Sequence, residues 1–97
     1  MERITHEQVE PYILKVIQDI QTLLVEKNIS YNASIFNRGR FGPQDPSERL
    51  WCRIEDKLNR LEARNSYPGD NDIRDLAGYF IALLAISERQ KDIGKDT

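Results

Sequence analysis

Apolar residues recur at intervals of three and four along three stretches of the chain, which is the spacing of one face of an α-helix. They are Ile13, Val16, Ile17, Ile20, Leu23 and Leu24 in the first stretch, Leu50, Trp51, Ile54, Leu58 and Leu61 in the second, and Ile73, Leu76, Ala77, Phe80 and Leu84 in the third. The pattern predicts helices over about 5–27, 46–63 and 71–91, with their apolar faces in a common core. We therefore expect an all-α, antiparallel three-helix bundle formed by residues 1–97 as one domain.

Local signals mark the ends of the first helix. Thr5 and Gln8 have the spacing of a capping box, so a helical turn is predicted to begin there. The ring of Pro11 would clash with the carbonyl of Glu7, which predicts a short N-terminal turn followed by a kink. Asn28 is predicted to end this helix.

The second and third helices have their own boundary signals. Asp45 and Pro46 form an N-cap followed by a proline at the first helical position, and Glu48 falls two positions later. The segment 64–70 is dense in turn-forming residues, so the second helix should end near Ala63. Asp72 would lie in the first turn of the third helix, where the helix dipole favours a negative charge. Residues 94–97 are expected to form a frayed tail.

A long loop is predicted over 28–45. Residues 29–44 contain Tyr31, Phe36, Arg38, Arg40 and Phe41 but no acidic residue. One interpretation is an anion-binding flap whose aromatic rings stack on a base. The other is a loop that Tyr31, Ile35 and Phe36 anchor to the core while its arginines are solvated.

The charges of the second helix are sorted by sign. Its basic edge consists of Arg49, Arg53, Lys57 and Arg60, whereas Glu48, Glu55 and Glu62 lie on the opposite side of the apolar face. Like charges four residues apart repel each other, and Asp56 offsets only part of this repulsion. A phosphate group would offset the rest, since the arginine side chain suits phosphate oxygens. The alternative is a solvated face with an internal pair between Asp56 and Arg60.

Acidic residues form a second candidate site. Glu55, Asp56, Asp72 and Asp75 would approach one another if the second and third helices pack antiparallel. Carboxylates on facing helices can hold Mg²⁺, which makes Asp72 and Asp75 the candidate metal ligands. The alternative is that Asp72 complements the helix N-terminus while Asp75 pairs with a lysine or an arginine.

Composition narrows the class of protein. The chain of 97 residues is 39% hydrophobic and 31% charged, with a net charge of -2, so it lacks the basic bias of a general nucleic-acid binder and no stable DNA binding is expected. Its apolar runs are too short for a membrane span, and its N-terminus does not resemble a signal peptide, so a cytoplasmic protein is expected. A chain this small gains stability from self-association, and Gly78, Ala82 and Ala85 are the predicted subunit contact of a homo-oligomer.

Several short motifs carry a resemblance that covers residues 27–86. They are Lys27-Asn28-x-x-Tyr31-Asn32-x-Ser34, Arg53-Ile54-Glu55-Asp56-Lys57-Leu58-x-Arg60, Gly69-Asp70 and Asp75-Leu76-x-Gly78-Tyr79. Together they resemble a group of small, largely phage-encoded helical proteins similar to the nucleotide-modification-associated families. The resemblance implies a viral or prophage protein that handles a nucleotide in the cytoplasm of the host cell.

A more distant likeness is to the all-α nucleoside triphosphate pyrophosphohydrolases, which hold Mg²⁺ with a Glu-x-x-Glu pair and a Glu-x-x-Asp pair. Asp72 and Asp75 have the spacing of the second pair. The first pair is missing, because neither Glu48 nor Glu55 has a carboxylate three residues later.

We therefore expect a non-enzymatic protein without a cofactor that binds a nucleotide or cyclic nucleotide, with sequestration of a host-defence signal as its role. The basic edge would bind phosphates, the loop would cover the base, and a second subunit would complete the pocket. The expected ligand-binding residues are Tyr31, Arg38, Arg40, Arg49, Arg53, Asp56, Lys57 and Arg60. One alternative is a Mg²⁺-dependent nucleotide pyrophosphohydrolase that uses Asp56, Asp72 and Asp75. Another is a protein-interaction module that inhibits a host enzyme.

Overall fold

The fold is described from a computed structural model, which covers residues 2–64, 68 and 71–95. Within these residues the chain is all-helical, and the all-α prediction is confirmed. Three α-helices follow one another: α1 (His6–Ser30), α2 (Pro46–Ala63) and α3 (Asp72–Lys95). A short 3₁₀ turn (Ser34–Phe36) lies in the connection between α1 and α2.

The predicted capping box begins α1. The hydroxyl of Thr5 accepts a hydrogen bond from the amide of Gln8, and the Gln8 side chain accepts one from the amide of Thr5 at 2.9 Å. The helix then continues through Pro11 to Ser30 as one element, so the predicted short turn before Pro11 is not a separate element and that prediction is wrong. It passes Asn28, so the predicted stop at that residue is wrong. The chain turns instead at Asn32 and Ala33, whose φ angles of 50° and 59° are left-handed.

Local hydrogen bonds also fix the ends of α2 and the start of α3. The carboxylate of Asp45 accepts a hydrogen bond from the amide of Glu48 at 3.1 Å, and Pro46 is the first helical residue, as predicted. Arg64 ends α2 in a left-handed conformation. The side chain of Asn71 accepts a hydrogen bond from the amide of Arg74 at 2.9 Å. Most of the turn predicted over 64–70, and the last two residues of the predicted tail, lie outside the described residues.

The α2/α3 pair is the main packing unit. Trp51 lies against Phe80 in an edge-to-face contact, with ring centroids 6.0 Å apart, and six residues further along α2 the Lys57 ammonium meets Asp72. Partners in α3 thus move towards its N-terminus as α2 advances, so the two helices are antiparallel. Leu50 and Ile54 are the fully buried side chains at this interface.

The C-terminal half of α1 packs on α3, and the contact between these helices is small. Ile20 is buried, and a Cβ atom at Gly78 would lie 3.2 Å from Cδ2 of Leu24. Gly78 and Ala82 are both buried inside the chain. The close helix approach predicted from these small residues occurs at Gly78, but the helix that approaches is the chain's own α1. Gly78 and Ala82 are therefore not a subunit contact surface.

Much of each predicted apolar face lies outside this core. Ile13, Val16 and Ile17 of α1 are exposed, as are Trp51 and Leu58 of α2 and Ile73, Phe80 and Leu84 of α3. The prediction that these residues share one intrachain core is wrong. The radius of gyration of 16.6 Å exceeds the value of about 12.5 Å typical of a compact domain of this length, which agrees with an open helix arrangement.

Length alone would allow α1 or α3 to cross a bilayer. None of the helices in the described part of the chain combines that length with the hydropathy of a membrane span.

The packing predicts how strongly two isoleucines contribute to stability. Replacing Ile54 by Ala should lower the free energy of unfolding by about 2–5 kcal/mol, since the side chain is 1% exposed and its loss leaves a cavity. The matched variant Ile29→Ala, at a side chain that is 74% exposed, should change it by at most about 0.5 kcal/mol. Urea denaturation followed by circular dichroism measures both values. Equal effects would contradict the described core.

Candidate functional site

A cavity of about 320 Å³ lies between the three helices and the 3₁₀ turn. Its apolar wall consists of Ile20, Leu23, Leu24, Ile35, Leu50 and Ala82, and its remaining lining consists of Lys27, Asn28, Tyr31, Ser34, Arg53, Arg74, Asp75, Gly78 and Tyr79. We call it the interhelical cavity. Its volume is at the lower end of the range for small-molecule sites, and its mixture of an apolar wall with a few polar groups is typical of them.

Each helix contributes one cation to the interhelical cavity. Lys27 is in the last turn of α1, Arg53 is in the middle of α2, and Arg74 is in the first turn of α3. Among the described residues, no carboxylate lies within 4.0 Å of any of these three cations. The one acidic residue of the lining, Asp75, is already paired with Lys57 at 3.0 Å. The cavity therefore has an excess of positive charge.

Two tyrosines lie at the same cavity. Tyr31 follows the end of α1 and its side chain is largely exposed, whereas Tyr79 of α3 is partly buried. Each supplies a flat aromatic face and a hydroxyl group that can donate or accept a hydrogen bond. Tyr31 was predicted as a ligand-binding residue, and the fold places it beside the cations.

The basic edge of α2 does not act as one surface. Arg53 lines the interhelical cavity, but Lys57 points into the interface with α3, where its ammonium lies 3.3 Å from Asp72 and 3.0 Å from Asp75. Arg60 approaches the same Asp72 carboxylate at 4.0 Å. This network is buried: the side chains of Lys57 and Asp72 are 12% and 1% exposed.

Arg49 holds the loop in place. Its guanidinium donates hydrogen bonds to the carbonyl of Phe41 at 2.8 Å and to that of Pro43 at 3.2 Å. It also packs over Gly39, where a Cβ atom would overlap the guanidinium. Through these hydrogen bonds Arg49 has a structural role in the loop, and it does not line the interhelical cavity.

The remaining predicted ligand-binding residues lie apart from the cavity. Arg38 donates a hydrogen bond to the Gln44 side chain at 2.6 Å within the loop, and Arg40 is exposed. Asp56 is also exposed, and it forms no ion pair with the other residues that the structure describes. The structure thus brings Tyr31 and Arg53 together at the cavity but not these three.

Of the four acidic residues predicted to converge, only Asp72 and Asp75, which lie three residues apart on α3, meet at Lys57, whereas Glu55 and Asp56 of α2 are exposed. Asp72 and Asp75 approach each other around the ammonium of Lys57. In the part of the chain that the structure describes, no group of three His, Cys, Asp or Glu residues is placed to hold a metal ion. The metal-binding role of Asp72 and Asp75 stays a prediction.

The sequence patterns do not indicate Lys27 and Arg74 as site residues. Each is a single cation near a helix end, Lys27 in the last turn of α1 and Arg74 in the first turn of α3. Cations at these positions have no periodic pattern with Arg53 along the chain. Only the packing of the C-terminal half of α1 on α3 shows that they share a site.

Comparison with known protein families, curated proteins and solved structures finds no match to this chain. The two resemblances described above stay predictions, and function is inferred from the cavity and the surfaces around it.

The buried Lys57 network is predicted to contribute much more to the free energy of unfolding than an exposed ion pair does. Lys57→Met should lower the free energy of unfolding by about 3 kcal/mol, because it removes the ammonium that neutralises the buried Asp72 carboxylate while Arg60 remains nearby. The measurement is the midpoint and slope of urea denaturation.

The exposed pair of Lys15 with Asp19, 3.2 Å apart, is the matched control. Lys15→Met should change the free energy of unfolding by at most about 1 kcal/mol, since solvent screens this pair. A Lys57→Met variant as stable as Lys15→Met would refute the proposed contribution of the buried network.

The contact of Arg49 with the loop predicts protease sensitivity. Gly39→Ala should displace the guanidinium, because the new Cβ atom would lie 2.9 Å from Cδ of Arg49 and closer still to its terminal atoms. Losing the hydrogen bonds to Phe41 and Pro43 should speed tryptic cleavage after Arg38 and Arg40 by about tenfold. Arg49→Ala should do the same.

Gly94→Ala is the control for this experiment, because a Cβ atom at Gly94 would meet nothing within 4 Å. It should leave cleavage in the loop unchanged. Cleavage at the wild-type rate in both Gly39→Ala and Arg49→Ala would show that Arg49 does not hold the loop.

Proposed function

We propose that this protein binds a nucleotide in the interhelical cavity and holds it without cleaving it. The observation that carries the proposal is the convergence of Lys27, Arg53 and Arg74 from three helices on one apolar-walled cavity. Three like charges that have no carboxylate of the described residues within 4.0 Å repel each other, and a ligand with phosphate groups would relieve that repulsion.

The two arginines suit the oxygens of a phosphate group. A guanidinium group can bind two phosphate oxygens with parallel hydrogen bonds, whereas a lysine ammonium acts as a compact charge. Arg53 and Arg74 come from different helices, so a ligand bound between them would be contacted from two sides. Lys27 adds a third positive charge from α1.

The rest of the cavity suits the uncharged part of a nucleotide. Leu24 and Leu50 contribute an apolar wall, and Tyr31 and Tyr79 contribute aromatic faces on which a base can stack. The combination of a cationic side and an apolar, aromatic side favours a ligand that has both characters. Inorganic phosphate would contact only the cationic side of the cavity.

The proposed site differs from the basic edge expected from the sequence. Arg53 belongs to both, whereas Lys27 and Arg74 replace Lys57 and Arg49, which are committed to Asp72 and to the loop. The resemblance implies a phage protein. A phage protein that binds a nucleotide without cleaving it would sequester a host-defence signal.

The contacts of Asp72 and Asp75 with Lys57 favour binding of a nucleotide over its hydrolysis. Under the pyrophosphohydrolase alternative, Asp72 and Asp75 would coordinate Mg²⁺. Both carboxylates already contact the Lys57 ammonium in the α2/α3 interface. A magnesium ion at this position would have to displace Lys57 from the network that joins the two helices.

We also propose that the protein functions as a homo-oligomer. In the part of the chain that the structure describes, the buried apolar residues are Ile20, Leu50, Ile54, Leu76, Ala82 and Ile86. This is a small core for 97 residues, and chains of this size commonly gain stability by burying a further apolar face in an interface.

The binding site predicts a difference between two arginine variants. Arg53→Ala should weaken nucleotide binding by about 1.5–3 kcal/mol, the range for hydrogen bonds to charged groups, without changing the helix content. Arg40→Ala makes the same change of charge at an exposed loop residue outside the cavity and should leave affinity unchanged. Isothermal titration calorimetry with mono-, di- and cyclic nucleotides, with and without Mg²⁺, measures both.

The same titrations decide between the alternatives. A nucleotide at 100 times its Kd should stabilise the wild-type chain by about 2.7 kcal/mol and be recovered intact. Absence of binding by every nucleotide class, or equal affinity of Arg53→Ala and wild type, would refute the proposed site. Mg²⁺-dependent cleavage that is lost in Asp75→Asn would instead support the pyrophosphohydrolase alternative.

A further inference from the structure

We infer that a second copy of this chain docks on an apolar ridge formed by Trp51, Leu58, Ile73, Phe80 and Leu84, and that this contact joins two α2/α3 pairs. The inference rests on the proposed self-association and is independent of nucleotide binding. It names the surface that the homo-oligomer uses.

The five side chains lie on one face of the α2/α3 pair. Trp51 and Phe80 are in contact, with centroids 6.0 Å apart and ring planes at 73°. Leu58 is two helical turns from Trp51, and Ile73 is two turns from Phe80 in the opposite chain direction. Because the helices are antiparallel, both steps lead the same way along the pair. Trp51, Leu58, Ile73 and Phe80 thus form a continuous patch, which Leu84 extends beyond Phe80.

This ridge is exposed in the single chain. Ile73 and Leu84 are 71% and 68% exposed, and about half of the Trp51 and Leu58 side chains is accessible. Contiguous apolar surface of this kind marks an interaction site more often than a solvated surface. The ridge lies beside Leu50 and Ile54, which are 1% exposed. The helices that carry the ridge residues are therefore fixed by the most deeply buried part of the core.

The spacing of the ridge residues favours a helical partner. Ile73, Ala77, Phe80 and Leu84 follow steps of four, three and four, which is the a/d spacing of a coiled-coil seam, and Trp51 and Leu58 are one heptad apart. Such a seam packs against another helical seam. A second copy presents the same one, and a two-fold axis across the ridge would bury both in an isologous contact.

The accessible surface of the single chain is large enough to supply the interface of an obligate dimer. The chain exposes 8463 Å², whereas a compact folded monomer of this mass exposes about 5,700 Å², so the excess is about 2,700 Å² per chain. Two chains together thus have an excess of about 5,400 Å², which is close to the upper end of the total of about 2,000–5,000 Å² that obligate homodimers bury from both subunits. The ridge supplies part of this exposed surface, next to exposed apolar residues of α1 such as Ile13 and Ile17. A second copy of the chain is a partner that would cover the ridge in a one-to-one stoichiometry.

Trp51 is the only tryptophan and reports on the ridge without any substitution. Sedimentation equilibrium of the wild-type chain gives the concentration range over which dimers form. Across the same range, tryptophan emission should shift to shorter wavelength and acrylamide quenching should fall, because a residue that is 53% exposed becomes covered.

Two substitutions test the ridge directly. Leu84→Glu and Ile73→Glu should each raise the dimer dissociation constant by about 30-fold or more, since each would bury an unpaired charge at one end of the apolar contact. Ile29→Glu introduces the same charge at a residue of α1 that is 74% exposed and outside the ridge. It should leave the dissociation constant within about threefold of the wild-type value.

The outcomes separate the two proposals. A wild-type chain that stays monomeric up to about 100 µM would refute both the homo-oligomer and the ridge contact. A wild-type dimer in which Trp51 remains as open to acrylamide as in the monomer would refute the ridge and leave the homo-oligomer standing, even if both glutamate variants fail to fold. Dissociation by Ile29→Glu but not by Leu84→Glu would move the contact to α1.

Discussion

The ion-pair network of Lys57 with Asp72 and Asp75 sets the register on which the other features of this protein depend. A buried lysine is tolerated only where carboxylates surround it, so α2 and α3 cannot slide along each other without exposing a charge to an apolar interface. With that register fixed, Arg53 and Arg74 face the same cavity. The apolar ridge on the other side of the pair follows from the same alignment.

The cavity lies where the C-terminal half of α1 joins this pair. Gly78 lets Leu24 approach α3 closely, and Ile20 is buried beside that contact, whereas the N-terminal half of α1 has no covering element in the described chain. Lys27, Arg53 and Arg74 line the cavity beside this contact.

The cations of α2 have different roles, since two of them make structural contacts and one belongs to the proposed binding site. Arg49 binds loop carbonyls, Lys57 neutralises two aspartates, and Arg53 lines the cavity. Residues four apart on one helix edge thus have different environments, since the loop, the cavity and α3 lie against successive turns of α2. A basic stripe is therefore weak grounds for inferring one binding surface.

The sequence by itself determined the local structure. The caps at Thr5 and Asp45 and the helical periodicity depend on contacts within a few residues, and these were predicted correctly. It also identified Tyr31 and Arg53 as candidate site residues, but not Lys27 and Arg74, which come together only when α1 packs on α3. Periodicity shows that a helix face is apolar, yet Ile54 and Ile73 carry the same signal and only one is buried. The tertiary structure decided which faces form the core, because burial depends on what packs against a helix and not on the pattern along it.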